Sequence, residues 1–292
     1  MIPFAYVHPQ ERAEVQGQFA SRRGLWPCTL ACDGSHIPFK PKNKQLAVEY
    51  RNYKGWHSIL AVAYVDSFYR FFDVDVGYPG RAGDNTVLQH NWLLNAIKAD
   101  RDKWLGPGGV VLGDSGAGDG GDVFLNPYHA PTDPQRCWFN FCHSSTRFFV
   151  EQAFGIWKSR FRCLLCPLNV EHKLSVKIIY STAILHNYFI VHKGERVASG
   201  VDNEPAWGVF FSTYACTHCP TCKREKKMHC VHQHQYRNGM AQTAQARKKG
   251  SELRDDLCKK MWEYVIANGE QAHVAEYIEA VAARTADEDK SP

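Results

Sequence analysis

GVVLGDSG, residues 109–116, is a short apolar run that breaks into a Gly/Asp loop. Preceded by the helix-breaking GPGG of 106–109, it reads as a buried strand with Asp114 at its end. Upstream, TVLQHNWLLNAIKAD (86–100) has the apolar spacing of a helix packed on a sheet. It is entered from the turn-rich YPGRAGDN (78–85), with Asp84 or Asn85 as N-cap. GWHSILAVAYV (55–65) and YRFFDVDVGY (69–78) read as a hairpin turned near Asp66-Ser67. CTLACDGSHI (28–37) is the first strand and runs into the loop PFKPKNKQ (38–45). The order is therefore β-β-β-α-β, with acids at the ends of the first and fourth strands.

Downstream, the pattern predicts a long helix over about 133–161. At 100° per residue, Arg147, Glu151, Gly155, Lys158 and Arg162 share one line, beside an apolar stripe of Val150, Phe154, Trp157 and Phe161. A second helix, about 171–192, carries the apolar VKIIYSTAILHNYFIV (176–191) and is expected to be buried. After Ser199 the periodicity weakens. A Cys/His-rich patch follows at 216–234 and a last helix at about 246–267. The first 25 residues are polar, with little periodic signal. The expected organisation is an N-terminal segment (1–26), a catalytic domain (27–195), a Cys/His-rich basic insertion or linker (196–245), and a closing helix with an acidic tail (246–292).

The 292 residues, 44% of them apolar, can bury a large core. No run of eighteen apolar residues and no secretory leader pattern is visible, so the expectation is a soluble, intracellular protein without a membrane partner. The cysteines of the core (Cys28, Cys32, Cys137, Cys142, Cys163, Cys166) read as buried thiols. Residues 216–260 carry eleven Lys/Arg against four Asp/Glu. Such a block reads either as a polyanion contact, nucleic acid first, or as a solubilising surface.

Asp33 ending strand one, Asp114 ending strand four and Glu151 on the following helix make a pattern with a chemical meaning. Phosphodiester cleavage needs both the attacking and the leaving oxygen stabilised, which two Mg²⁺ (or Mn²⁺) ions held by carboxylates can do. Each residue alone has a plainer reading. Asp33-Gly34 is a common turn, Asp114-Ser115-Gly116 an ordinary loop, and Glu151 between Arg147 and Lys158 a surface ion pair. Their joint placement favours the catalytic one.

Seven blocks in order then carry a resemblance: DGSHIPF (33–39), YRNYKGWHSI (50–59), DVDVGYPGRAGDNTVL (73–88), LGDSG (112–116), NPYH (126–129), VEQAFGIWKSRFRCL (150–164) and LHN (185–187). KKGSELRDDLCKKMW (248–262) matches the closing helix. The chain resembles the PIF/Harbinger-type DDE transposases and the nucleases derived from them. The resemblance implies an α/β RNase H-like fold, a mixed sheet flanked by helices. It also implies Asp33, Asp114 and Glu151 as the metal-binding and catalytic acids, and a Myb/SANT-like DNA-binding partner. Asp84 lies in a motif block too, as a helix cap or as an acid supporting the metal ligands from behind. Ala117 departs from the aromatic usual after GDSG. Only 32 residues precede Asp33, where relatives carry a longer helical region. The N-terminus is therefore either shortened, or end recognition is left to the partner.

The implied function is a DDE transposase or endonuclease acting on DNA ends, with or without strand transfer, in the nucleus and as a possible homo-oligomer. The alternative is a domesticated, catalytically silent DNA-binding or scaffold protein. Arg147, Lys158 and Arg162 read as phosphate contacts or as a solvated face. Lys40, Lys42, Lys44, Arg51 and Lys54 read as a clamp at the same mouth. Cys219, Cys222, Cys230 and His234 can make a tetrahedral zinc site around the basic 223–227, or can belong to a flexible insertion. The basic cluster also fits nuclear import. His57 and His186, in apolar runs, read as core histidines.

Overall fold

The structure is a computed structural model and describes residues 9–25, 27–43, 47–114, 123–201, 244–269, 274–276 and 278–279. Strands β1 (Cys28–Pro38), β2 (Ser58–Val65) and β3 (Phe71–Pro79) form an antiparallel meander, with the one-turn helix α2 (Ala47–Tyr50) between β1 and β2. On the other side of β1, β4 (Val110–Leu112) and β5 (Phe124–Leu125) run parallel to it, giving the order β3-β2-β1-β4-β5. Parallel neighbours need a crossover. Here α3 (Asp84–His90), α4 (Trp92–Ala99) and α5 (Arg101–Leu105) return the chain from β3 to β4.

Helices cover both faces of this sheet, which is why SILAVAYV in β2 is apolar after Ser58 and buried at every position. Adjacent residues mark the two layers. Phe71 meets Trp157 of α6 (Pro134–Arg160) at 5.2 Å between ring centres, while Phe72 meets Trp104 of α5 at 6.3 Å. Helix α7 (His172–Val201) packs on β3 and α6, and α8 (Ala244–Ala267) on α6 and β5. A mixed sheet flanked by helices is what the sequence predicts; its fifth strand, β5, is additional to the four read from the sequence, and the architecture is consistent with an RNase H-like fold.

Several elements differ from the sequence reading. Residues 9–23 form a helix, α1 (Pro9–Arg23), on only a few apolar contacts. Val15 and Phe19, one turn apart, are fully buried, and Gln16 donates to Thr29 Oγ1 at 2.9 Å. The crossover is three short helices rather than one. Asn91 stops α3 and accepts the Leu94 N–H at 2.9 Å as N-cap of α4, while its amide donates to Asp73 (3.0 Å) and Asp75 (3.3 Å). Asp100 then caps α5 through the Lys103 N–H.

Strand β1 does not end at Asp33 but continues to Pro38, because β2 goes on pairing after β4 has stopped at Leu112. Gly34 is a ladder residue opposite Val62, which removes the Asp33-Gly34 turn. Cys163 and Cys166 are exposed and Cys137 half-buried rather than buried, while Cys28, Cys32 and Cys142 are buried as expected. The segment His172–His192 of α7 is long and apolar enough to cross a membrane by composition, with mean hydropathy 1.3. In this fold it buries Ile179, Ala183 and Ile190 but leaves Ile184, Leu185, Tyr188 and Val191 exposed, so the helix is half-buried rather than buried as expected. The zinc candidates Cys219, Cys222, Cys230 and His234, the basic 223–227, Lys44 and Ala117 lie outside the described residues.

Candidate active site

The parallel pairing of β1 and β4 ends at Ala31 opposite Leu112, and Asp33 and Asp114 each follow two residues later. Equal offsets from one register point put the two acids side by side, Asp33 within β1 and Asp114 just past the end of β4. Helix α6 lies along β1 and brings its polar stripe to this place. Arg147 Nη1 donates to Asp33 Oδ2 at 2.7 Å and its Nη2 donates to Glu151 Oε1 at 2.9 Å. Farther along the stripe, Lys158 Nζ donates to Ser35 Oγ (2.7 Å) and to the His36 carbonyl (2.9 Å).

Helix α6 ends at Arg160, so Arg162 leaves the stripe and is exposed in a short 3-10 turn. The sequence-predicted acids are thus gathered. Arg147 and Lys158 are engaged by the protein itself, whereas Arg162 points to solvent. Lys40, Lys42, Arg51 and Lys54 are exposed around the His36 end of β1.

Asp84 is not the helix cap. The N-cap of α3 is Gly83, which makes no side-chain cap bond. The Asp84 carboxylate lies instead against Gly34, where a Cβ would collide with it. Burial, then the charges of Asp33 and Asp114, push its carboxyl up to about 7, partly offset by the Gly34 N–H and Arg147. Glu151 is raised by burial too, against the pull of Arg147. Burial alone would lower Arg147, but Asp33, Glu151 and Asp114 outweigh it and raise its pKa. Arg147 is therefore a permanent cation among four acids.

His36 went unnoticed in the sequence, although it stands in the DGSH block. Its Nδ1 is 2.9 Å from Ser58 Oγ, to which the Asn52 amide donates at 3.1 Å. Burial, then Lys158 and Lys54, lower His36 to about 4, so it is neutral at pH 7. His57 is exposed, contrary to the core reading. His186 is a core histidine as expected, fully buried with Nε2 donating to the Tyr69 carbonyl at 2.8 Å.

Among the described residues no three acid, imidazole or thiol groups are gathered tightly enough to chelate one ion. The donor chemistry nevertheless fits a hard divalent cation, since all the converging ligands are carboxylates. The guanidinium of Arg147, bonded to Asp33 and Glu151 together, is a stand-in positive charge at that point.

A profile of DDE superfamily endonucleases matches residues 32–187, a span that holds Asp33, Asp84, Asp114 and Glu151. The chain belongs to this family. The match agrees with the Harbinger-type resemblance of the motif blocks. A curated relative, "Protein ALP1-like" of Arabidopsis thaliana, is 27% identical over 199 residues, which are 62% of this chain and 48% of that protein. The chain thus spans about half the length of that relative. No solved structure matches it.

Proposed function

We propose that this chain cuts DNA phosphodiester bonds at a divalent-metal site made by Asp33, Asp114 and Glu151. The observation that carries this reading is the convergence of strand-borne and helix-borne carboxylates on one buried cation, Arg147. A pair of bound Mg²⁺ or Mn²⁺ ions supplies Lewis-acid stabilisation of the attacking and leaving oxygens. Asp33 and Asp114, on adjacent strands of one rigid sheet, fix the ligand positions from below. Glu151, with 40% of its side chain exposed, reaches in from the helix on the solvent side.

Lys158 ties α6 to β1 at Ser35 and His36, so it sets the height of Glu151 above the strand rather than contacting DNA. Arg162, Lys40, Lys42, Arg51 and Lys54 remain as exposed cations for phosphate contacts, which add salt-dependent affinity without sequence information. The same chemistry allows hydrolysis alone or hydrolysis followed by attack of a 3′-hydroxyl on a second DNA. The motif resemblance further supports an RNase H-like nuclear protein working beside a Myb/SANT-like DNA-binding partner.

One observation favours a second reading. Arg147 already neutralises Asp33 and Glu151, as a site that has given up metal chemistry would. Nicking of supercoiled plasmid in Mg²⁺ or Mn²⁺ separates the two. A working site nicks, stops with EDTA, and loses at least about a hundredfold in rate in Asp114→Asn, as removal of an electrostatic catalytic group does. No metal-dependent nicking by the wild type, alone or with partner protein, makes it the silent DNA-binding form.

A further inference from the structure

Asp84 is the acid that a three-carboxylate site leaves over. A braced turn delivers it. The Gly80 N–H donates to the Ser58 carbonyl (2.8 Å), that of Arg81 to Glu49 (3.0 Å) and that of Ala82 to Pro79 (2.8 Å). Gly80 is required there, since a Cβ would strike the Ser58 hydroxyl and the Tyr50 carbonyl. The turn sets the first residue of α3 beside β1, and Gly83 starts the helix without a side-chain cap. The carboxylate of Asp84 is therefore free of the helix. It faces Gly34, whose N–H donates to Asp33 Oδ1 at 2.9 Å. Two carboxylates thus flank one glycine, Asp33 on its N–H and Asp84 against its Cα, with Asp114 close enough to act on both Asp84 and Arg147.

We propose that Asp84 is a fourth ligand of the divalent-metal site, facing the same ion as Asp33 and Asp114. The proposal rests on the metal-site reading of Asp33, Asp114 and Glu151. Four acids and one guanidinium leave a surplus of negative charge in a half-buried pocket, and like charges this close repel. A hard cation taking oxygen ligands relieves that crowding. Glycine at position 34 is the second half of the device. It leaves the space that the Asp84 carboxylate fills, and any side chain there would push the acid out of the site.

Calorimetric titration of the whole chain with Mn²⁺, alongside thermal melting in EDTA, tests this. Asp84→Asn is expected to weaken Mn²⁺ binding at least tenfold while its EDTA melting temperature holds or rises, because a crowded charge has gone. Gly34→Ala should displace the same carboxylate and weaken Mn²⁺ to a similar degree, and the double variant should lose no more than either single one. A role confined to starting α3 would do the reverse, lowering the EDTA melting temperature and leaving affinity intact.

Mn²⁺ binding within twofold of wild type in Asp84→Asn, with Asp33→Asn losing it, overturns the fourth ligand and leaves the three-acid site standing. If Asp84→Asn fails to fold, Gly34→Ala decides alone on the same affinity criterion. A wild type that takes up no Mn²⁺ overturns both this proposal and the metal-site reading beneath it.

Discussion

Arg147 holds two of the acids that would bind metal, at 2.7 and 2.9 Å, and is itself only 18% exposed. Removing one partner of such a cluster leaves uncompensated charge. Arg147→Ala should therefore lose roughly 2–3 kcal/mol of metal-free stability, less than a fully buried pair because Glu151 keeps solvent contact. Urea unfolding in EDTA measures the loss, and saturating Mg²⁺ should restore part of it. Equal stability in EDTA would mean that the carboxylates need no internal cation.

At this scale the sequence was informative about residue type and less so about partner. The stripe 147–151–158 follows from helical spacing alone. That its cations turn inward, to Asp33, Ser35 and His36, follows from how closely α6 approaches β1, which spacing does not encode. Asp84 shows the same limit. An acid after a Pro-Gly turn fits a cap as well as a site. Only the close approach of Gly34 distinguishes them.

Among elements, α7 is the one whose docking depends most on polar contacts from an apolar run. His186 donates to the Tyr69 carbonyl. Asn187 accepts the Phe71 N–H at 2.8 Å and donates to the Phe71 carbonyl at 2.6 Å, so the LHN block fastens α7 to β3. Burial holds His186 down to about 4, with Arg160 acting in the same direction and the Tyr69 bond against it. A folded pKa below the unfolded 6.5 means a contribution present above pH 6.5 and lost as pH falls towards 4.

His186→Gln should cost about 1–2 kcal/mol at pH 7. It should also flatten the fall in urea midpoint between pH 6.5 and 4, though not abolish it, because buried His143 titrates in the same window. An unchanged slope would show that His186 is charged in the folded chain. The strands were legible from apolar runs and turn residues. The break of the crossover at Asn91 was not, because its cause is a pair of acids on another strand. Helix α1 was missed because two buried residues, Val15 and Phe19, are too few to show a period.

At the scale of the whole molecule, α8 is locked to α6 and β5. Tyr128 donates its hydroxyl to Asp255 at 2.7 Å, with the guanidinium of Arg254 4.1 Å and that of Arg136 5.0 Å from its ring. Tyr128→Ala should free α8, so that limited proteolysis cuts within residues 244–267 before any other described helix, with a stability loss of about 3 kcal/mol. Simultaneous loss of all helices would mean that α8 is not an independent unit. The sequence showed this helix and its motif, while its docking site came only with the fold.

The bond from Tyr128 to Asp255 joins positions 127 apart. On a ribosome, the sheet and α6 would emerge with that flank bare for roughly 5–20 s before residue 267 is made. The late arrival of α8 makes the interval before its synthesis, rather than the assembly of the acids, the time at which a nascent chain is most open to misassociation.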